Sequence, residues 1–419
     1  MIHASLRWFV AATAVVALAC YGYIYTHFLD TPIRSDGTSY YVYLPAWVGD
    51  GDPTFETIAR DCCGGVVADP VGIHRWPETG RWLAVHPIGV AVMMLPFYLL
   101  ADALSWWSNL PRDGFSPYYE YIVGVSGLVY AMAGLYVLRR LLLRYFSETV
   151  VLVTLVAITF GTNLFHYAVY DSTFSHAFSF FLIAALLLLT DSWWREPQWR
   201  TSVALGALAA LIVLVRHTNG IFLAIVPLYG DLRSLWHRRA KVGVMAATTF
   251  AGVLPQLLVY KWATGHWIVK SDPDGYFTFA SPHIFGTLFS VERGVFFWSP
   301  VLWLAVAGFF VARAPARRLL AAALLALSVD TYLMASWYMW YFGIGYGHRA
   351  YVDLLPVFAV FLAVFLAWAT DRPRLARAVH AAAAVLVVLS MFQTVQYWKG
   401  IVPGEKTTWA QYRAIFTRW

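Results

Sequence analysis

Charge is scarce in this chain. Asp, Glu, Lys and Arg make up 13% of its 419 residues, about half the share of a soluble domain. That excludes a disordered polyampholyte and a coiled coil, which both depend on abundant ionic side chains. Cysteine is scarcer still, with three residues. Cys62 and Cys63 are adjacent and lack a His or Cys at zinc spacing, so a disulfide-stapled domain and a structural zinc site are both disfavoured. Walker sequences and G-x-G-x-x-G turns after a strand are missing, which argues against direct use of ATP or a nucleotide sugar. No internal repeat of the transporter kind is visible.

What is present is apolar. Hydrophobic residues reach 60% and aromatics 17%, with a mean hydropathy of +0.60. Trp and Tyr at this density suit the two interfacial belts of a membrane protein. The formal charge of +7 would suggest nucleic acid in a soluble domain. Here Lys and Arg gather in short connections between apolar runs, so the expectation is a membrane protein with no nucleic-acid partner.

A span needs about 20 apolar residues. Eleven are read: 8–28, 118–138, 149–167, 174–190, 201–215, 220–230, 242–263, 297–312, 319–335, 351–370 and 379–398. The stretch 201–229 is split at Arg216-His217-Thr218-Asn219-Gly220, because an Arg at mid-bilayer is costly. The stretch 84–104, opened by His86-Pro87 and interrupted by Pro96, is read as juxtamembrane. Every basic cluster then falls on one side: Arg7, Arg139 to Arg144, Arg195 and Arg200, Arg233 to Lys241, Arg313 to Arg318, and Arg372 to Arg377. The expectation is an all-α polytopic domain over 1–419, amino terminus cytoplasmic and carboxyl terminus outside. The first helix is read as retained, since no small-x-small cleavage site closes it. The long first loop, about 30–117, the segments 264–297 and 336–349, and the tail 399–419 then share the outer face.

Four outer segments hold residues capable of chemistry. Arg34-Ser35-Asp36-Gly37 to Tyr43 follows the first helix. If it is helical, Asp36, Tyr40 and Tyr43 share a face, although Asp is also a favoured helix cap. His166 to His176 forms an outer turn containing Asp171, which is either a further cap or a functional acid. His176 is either a ligand-binding residue or a partner for a neighbouring helix. Glu292-Arg293-Gly294 to Trp298-Ser299-Pro300 places Arg293 just outside a span. Gly345-Tyr346-Gly347-His348-Arg349 ends an aromatic run, and its two basic residues suit either a phosphate or lipid headgroups.

Taken together, these segments resemble the GT-C superfamily of integral membrane glycosyltransferases. More narrowly, they are similar to bacterial relatives of the dolichyl-phosphate-mannose protein mannosyltransferases and the aminoarabinose transferases. The resemblance covers nearly the whole chain through Ser35-Asp36-Gly37 with Tyr40-Tyr41, His86-Pro87-Ile88-Gly89, Asp171 with Ser175-His176, Arg216-His217-Thr218-Asn219, Glu292-Arg293-Gly294 and Gly345 to Arg349. It implies a GT-C-like fold with juxtamembrane helices in the first loop. It also implies Asp36 as catalytic base, a polyprenyl-phosphate sugar as donor, and transfer that usually inverts the anomeric carbon. His86 stands where some relatives carry Lys.

The expected activity is therefore transfer of a sugar to a hydroxyl of an envelope glycan, lipid or protein, at the periplasmic face of a bacterial inner membrane. Arg216, His217, Arg293, His348, Arg349 and His86 are the candidates for the donor phosphate. Tyr40, Tyr41, Tyr43, Asp171 and His176 are the candidates for the sugar or acceptor. No cofactor is assigned, and a divalent ion is left open, held by Asp36, His166, Asp171 and His176 if the first loop folds over the second outer turn. Membrane lipids are the other expected partners, and a monomer is the default. The alternatives are a polymerase or ligase acting on diphosphate-linked glycans, and a lipid or sugar transporter.

Overall fold

Eight helices, among the residues described, are long and apolar enough to cross a membrane, so the chain is a multi-pass membrane protein by length and hydropathy. The structure is a computed structural model describing residues 2–61, 72–84, 86–270, 275–313 and 316–418. Cys62, Cys63 and the side chain of Arg7 lie outside what is described. The long helices are α1 (Ile2–His27), α2 (Gly89–Trp107), α3 (Pro117–Leu142, broken at Val125), α4 (Ser175–Arg195), α5 (Arg239–Thr264), α6 (Arg317–Ser336), α7 (Arg349–Thr370, opening with a 3-10 turn) and α8 (Pro373–Trp398).

Seven of the eleven expected spans coincide with long helices. The other four are shorter apolar helices: Glu148–Phe160, Trp199–Val215, His217–Leu228 and Leu302–Val311. The stretch 149–167 is not continuous, because Gly161 ends the first helix and a separate turn, Leu164–Val169, follows. The split at Arg216 occurs where expected: Trp199–Val215 ends there, Arg216 is extended, and a 3-10 helix begins at His217.

The eighth long helix is α2, expected to be juxtamembrane. At 19 residues it is long enough to cross. It packs on α3, where Tyr130 donates to the Met93 carbonyl at 3.0 Å and Tyr119 to Asp102 at 2.6 Å, and also on Trp199–Val215.

Packing follows the helix lengths. α3 lies along α4, Trp199–Val215 runs between α4 and α5, and Leu302–Val311 packs on α7. α7 is almost wholly enclosed, whereas α5 and α8 turn most of their apolar residues outward. Among the described residues the helices are interrupted by a small hairpin, β1 (Ile73–Arg75) with β2 (Trp82–Ala84), antiparallel with His74 opposite Leu83. It is held on the end of α5 by Arg81, which donates to the Trp262 carbonyl at 2.6 Å and lies over that ring at 4.7 Å. The tail folds back as well. Gln396 on α8 donates to the Ile415, Phe416 and Arg418 carbonyls at 3.1, 3.2 and 2.7 Å.

The basic clusters collect at one end. Arg144 and Arg195 reach Asp191 at 2.5 and 3.1 Å. Arg238 lies over Trp193 and Trp194, and Arg372 over Trp368. Asp36 lies at the other end: α4 begins beside it at Ser175 and His176 and finishes at Asp191 and Arg195.

Candidate active site

The short helix Asp36–Tyr41 starts at Ser35, whose φ of 51° lets the chain turn sharply into it. Asp36 is thus the first helical residue and not the N-cap, which is Ser35 and makes no side-chain capping hydrogen bond. The helix seats tightly because of Gly37. A Cβ there would fall 2.1 Å from Thr173 Oγ1, so only glycine lets this turn meet the 171–174 loop. Asp36 is carried into a cavity of about 450 Å³, within the range of small-molecule sites.

Six parts of the chain supply its walls. Asp36 and Tyr40 come from the first loop, and His86 and Pro87 from the approach to α2. Ser175 and His176 form the first turn of α4. Val215, Arg216, His217 and Thr218 are the break after Trp199–Val215. Met334 and Trp337 end α6, and Arg349 begins α7. The rim is completed by Val269, Lys270 and Phe277. That rim is strapped to α6, since the Thr278 and His283 amides donate to the Ser336 and Ala335 carbonyls at 2.6 and 2.7 Å.

The electrostatics are those of an acid in a basic setting. Asp36 pairs with Arg349 at 3.2 Å. Burial pushes the Asp36 carboxyl up, but Arg349, His86, His176 and Arg216 together hold it below the ordinary carboxylate value. It is ionised at neutral pH. Its side chain is 30% exposed, and that exposure is toward the cavity. His86 behaves differently. Burial, with Arg349 and Arg216 nearby, pushes its imidazole down to about 4 against the pull of Asp36. His86 is therefore a neutral hydrogen-bonding group, with Nδ1 2.5 Å from Ser39 Oγ and its ring 4.3 Å from that of Tyr40.

Arg216 is fixed from behind. Its Nη1 donates to Asp353 at 3.2 Å and meets His176 Nδ1 at 3.1 Å, and His176 Nδ1 lies 3.4 Å from Asp353. Asp353 was not among the residues singled out from the sequence. The available signal was a carboxylate at the start of an apolar run, where burial of a lone charge is expensive. Lys270 was missed too, and Arg34, which opens the first candidate segment, was given no role.

Of the expected residues, Asp36, Tyr40, His86, His176, Arg216, His217 and Arg349 line one cavity. The others do not. Tyr43 leaves the shared face: the helix ends at Tyr41, and Tyr43 is the N-cap of the π-helical turn Leu44–Gly49. Its hydroxyl donates to the His86 carbonyl at 2.8 Å from outside the cavity. Tyr41 is buried with its hydroxyl on the Gly114 carbonyl. His348 is buried beside Phe342 and Tyr351, its Nε2 is 3.0 Å from the Trp340 carbonyl, and burial pushes its imidazole down to about 3. It is neither a cavity residue nor a cation.

Arg293 is buried, with Nη1 on the Glu292 carbonyl at 2.5 Å and Nε and Nη2 unpartnered, and it does not line the cavity. Asp171 belongs to a neighbouring cluster. It accepts from Arg34 at 2.6 Å and lies 3.0 Å from His166 Nε2, while His166 Nδ1 accepts from Trp398 at 2.9 Å. It is also not the cap of α4, whose N-cap is Phe174.

The proposed four-residue metal set is thus divided among three ion-pair clusters. Among the described residues no group of three or more His, Cys, Asp or Glu is placed to hold a metal ion. Compared with family models, curated proteins and solved structures, the chain matches none.

Proposed function

We propose that this chain is a membrane glycosyltransferase that moves a sugar from a polyprenyl-phosphate donor to a hydroxyl acceptor, with Asp36 as general base. The observation that carries the reading is one ionised carboxylate facing a cavity that also holds Arg349 and Arg216. A base and a leaving-group clamp are the two devices that displacement at an anomeric carbon demands.

In the proposed step, Asp36 accepts the acceptor's hydroxyl proton as that oxygen attacks the anomeric carbon. The bond to the polyprenyl phosphate breaks, and the phosphate leaves with the electron pair. Arg349 and Arg216 stabilise its charge, and His86 and His217 are placed for neutral hydrogen bonds. Inversion requires the acceptor oxygen, held at Asp36, to attack the face of the sugar opposite the departing phosphate. Tyr40, Met334, Trp337 and Phe342 provide the apolar and aromatic wall against which sugar faces stack. The reading includes a GT-C-like arrangement, with α2 as the juxtamembrane helix, the bacterial inner membrane as location and the cavity on the periplasmic side.

The test is Asp36→Asn assayed with polyprenyl-monophosphate sugars and a mixed acceptor pool in proteoliposomes. Transfer is expected to fall by at least a thousandfold while donor binding persists. Turnover at the wild-type rate would remove Asp36 from the chemistry. Transfer from diphosphate-linked glycans alone would replace the proposed donor.

A further inference from the structure

At the end of the bundle opposite Asp36, two hollows meet at Tyr229. The first, about 310 Å³, is an apolar slot walled by Leu142, Leu187, Leu319, Val360 and Val364, with Arg313 and Asp371 at its mouth. The second, about 360 Å³, lies beside Trp194, Arg238 and Arg318, with Asp231 at its edge. α7 carries Arg349 at the Asp36 cavity and Trp368 at the slot. Nineteen residues of rise put the two about 28 Å apart, roughly the thickness of a hydrocarbon core.

The charges around the hollows are unevenly satisfied. Arg144 and Arg195 are neutralised by Asp191, which also accepts from the Tyr145 and Tyr229 hydroxyls. Asp231 is occupied as a helix cap, accepting from the Arg233 amide and the Ser234 hydroxyl, both at 3.1 Å. Arg238 lies over Trp193 and Trp194 at 5.3 and 4.9 Å, and its buried Nη1 has no hydrogen-bond partner. Neither Arg313 nor Arg318 makes an ion pair among the described residues. Arg238 and Arg318 thus line the second hollow with no ion-pair partner among the described residues, and Arg313 lines the adjoining slot together with Asp371.

We propose that this composite hollow binds an anionic phospholipid, with an acyl chain in the slot and the headgroup phosphate on Arg238 and Arg318. A soluble phosphate would gain nothing from the slot. A zwitterionic lipid would gain less from the arginines, because basic pockets between helices at the membrane surface select anionic headgroups. The aromatic plane under Arg238 holds the guanidinium in place and leaves its free N–H for the ligand. The proposal stands independently of the sugar-transfer reading, since it shares no residue with the Asp36 cavity.

The experiment is native mass spectrometry of the full chain in an uncharged detergent, titrated with phosphatidylglycerol and with phosphatidylcholine of the same acyl chains. Phosphatidylglycerol is expected to bind more tightly. The preference is expected to fall about 5-fold for each arginine removed in Arg238→Gln and Arg318→Gln, and to persist in Arg238→Lys with Arg318→Lys. Val364→Trp, which fills the slot, should weaken both lipids, and Arg377→Gln at the same end should change neither. Equal binding of the two lipids, or a preference that survives loss of both arginines, would overturn the proposal. So would competition by glycerol phosphate as effective as that by the intact lipid.

Discussion

Replacing Arg349 by Gln tests the electrostatic core of the site without any assumption about substrate. The pair with Asp36 is 3.2 Å long, which corresponds to about 5 kcal/mol of gross attraction at an effective dielectric near 20. Desolvation consumes part of that. Breaking a fully buried pair typically costs about 3–5 kcal/mol. Here the guanidinium is 16% and the carboxylate 30% exposed, so solvent screening reduces the expected loss to about 2 kcal/mol.

The pH dependence carries a sign. In the wild type the Asp36 carboxyl is held low, so its stabilisation is complete above the ordinary carboxylate value and is lost as pH falls through the depressed one. Without Arg349 only His86, His176 and Arg216 oppose burial, so the carboxyl rises from its wild-type position and less of that stabilisation remains at neutral pH. The assay is thermal unfolding of wild type, Arg349→Gln, Asp36→Asn and the double variant in detergent between pH 4 and 7. Arg349→Gln is expected to lower Tm by a few degrees at pH 7. Adding Asp36→Asn should restore most of that loss, with the rescue shrinking toward pH 4. Additive effects, or a rescue that does not change with pH, would refute the pairing argument.

The remaining expectations concern single positions. Gly37→Ala forces a Cβ into Thr173 and is expected to cost about 1–3 kcal/mol, with transfer activity falling more than stability because Asp36 shifts. Asp353→Asn leaves Arg216 without its counter-charge and should raise KM for the donor several-fold with a smaller change in kcat; a pure stability defect with unaltered kinetics would oppose this. Arg216→Gln should weaken donor binding about tenfold or more, whereas Arg293→Gln should leave it within about twofold, because only Arg216 faces the cavity. A comparable loss of donor affinity from Arg293→Gln would mean that the cavity extends beyond the residues lining it here.

Much of the fold could be read from the residues because lipid imposes simple rules. Hydropathy located the long helices, and the lone Arg216 located the break in 201–229, since a charge inside an uninterrupted span has nowhere to go. The basic connections assembled at one end as expected. Lengths were less legible. The 149–167 stretch reads as one apolar run, yet it stops at Gly161 and restarts as a separate turn, because termination depends on what packs beside it rather than on hydropathy. α2, expected to lie beside the membrane, meets every length and hydropathy criterion for a span.

The sequence alone determined that the protein carries many helices apolar enough to cross a membrane, and that polar residues punctuate one set of connections. It could not determine which of those residues meet. Asp36, His86, Arg216 and Arg349 are separated by tens to hundreds of positions, and their convergence depends on how α4, α6 and α7 pack. Arg293, His348 and Asp171 carry equally suggestive local sequences but point elsewhere, because a motif specifies side-chain chemistry and local backbone, whereas direction is set by neighbours. The tertiary structure alone decided which acid received a guanidinium partner and a cavity, since that depends on distances no local pattern encodes.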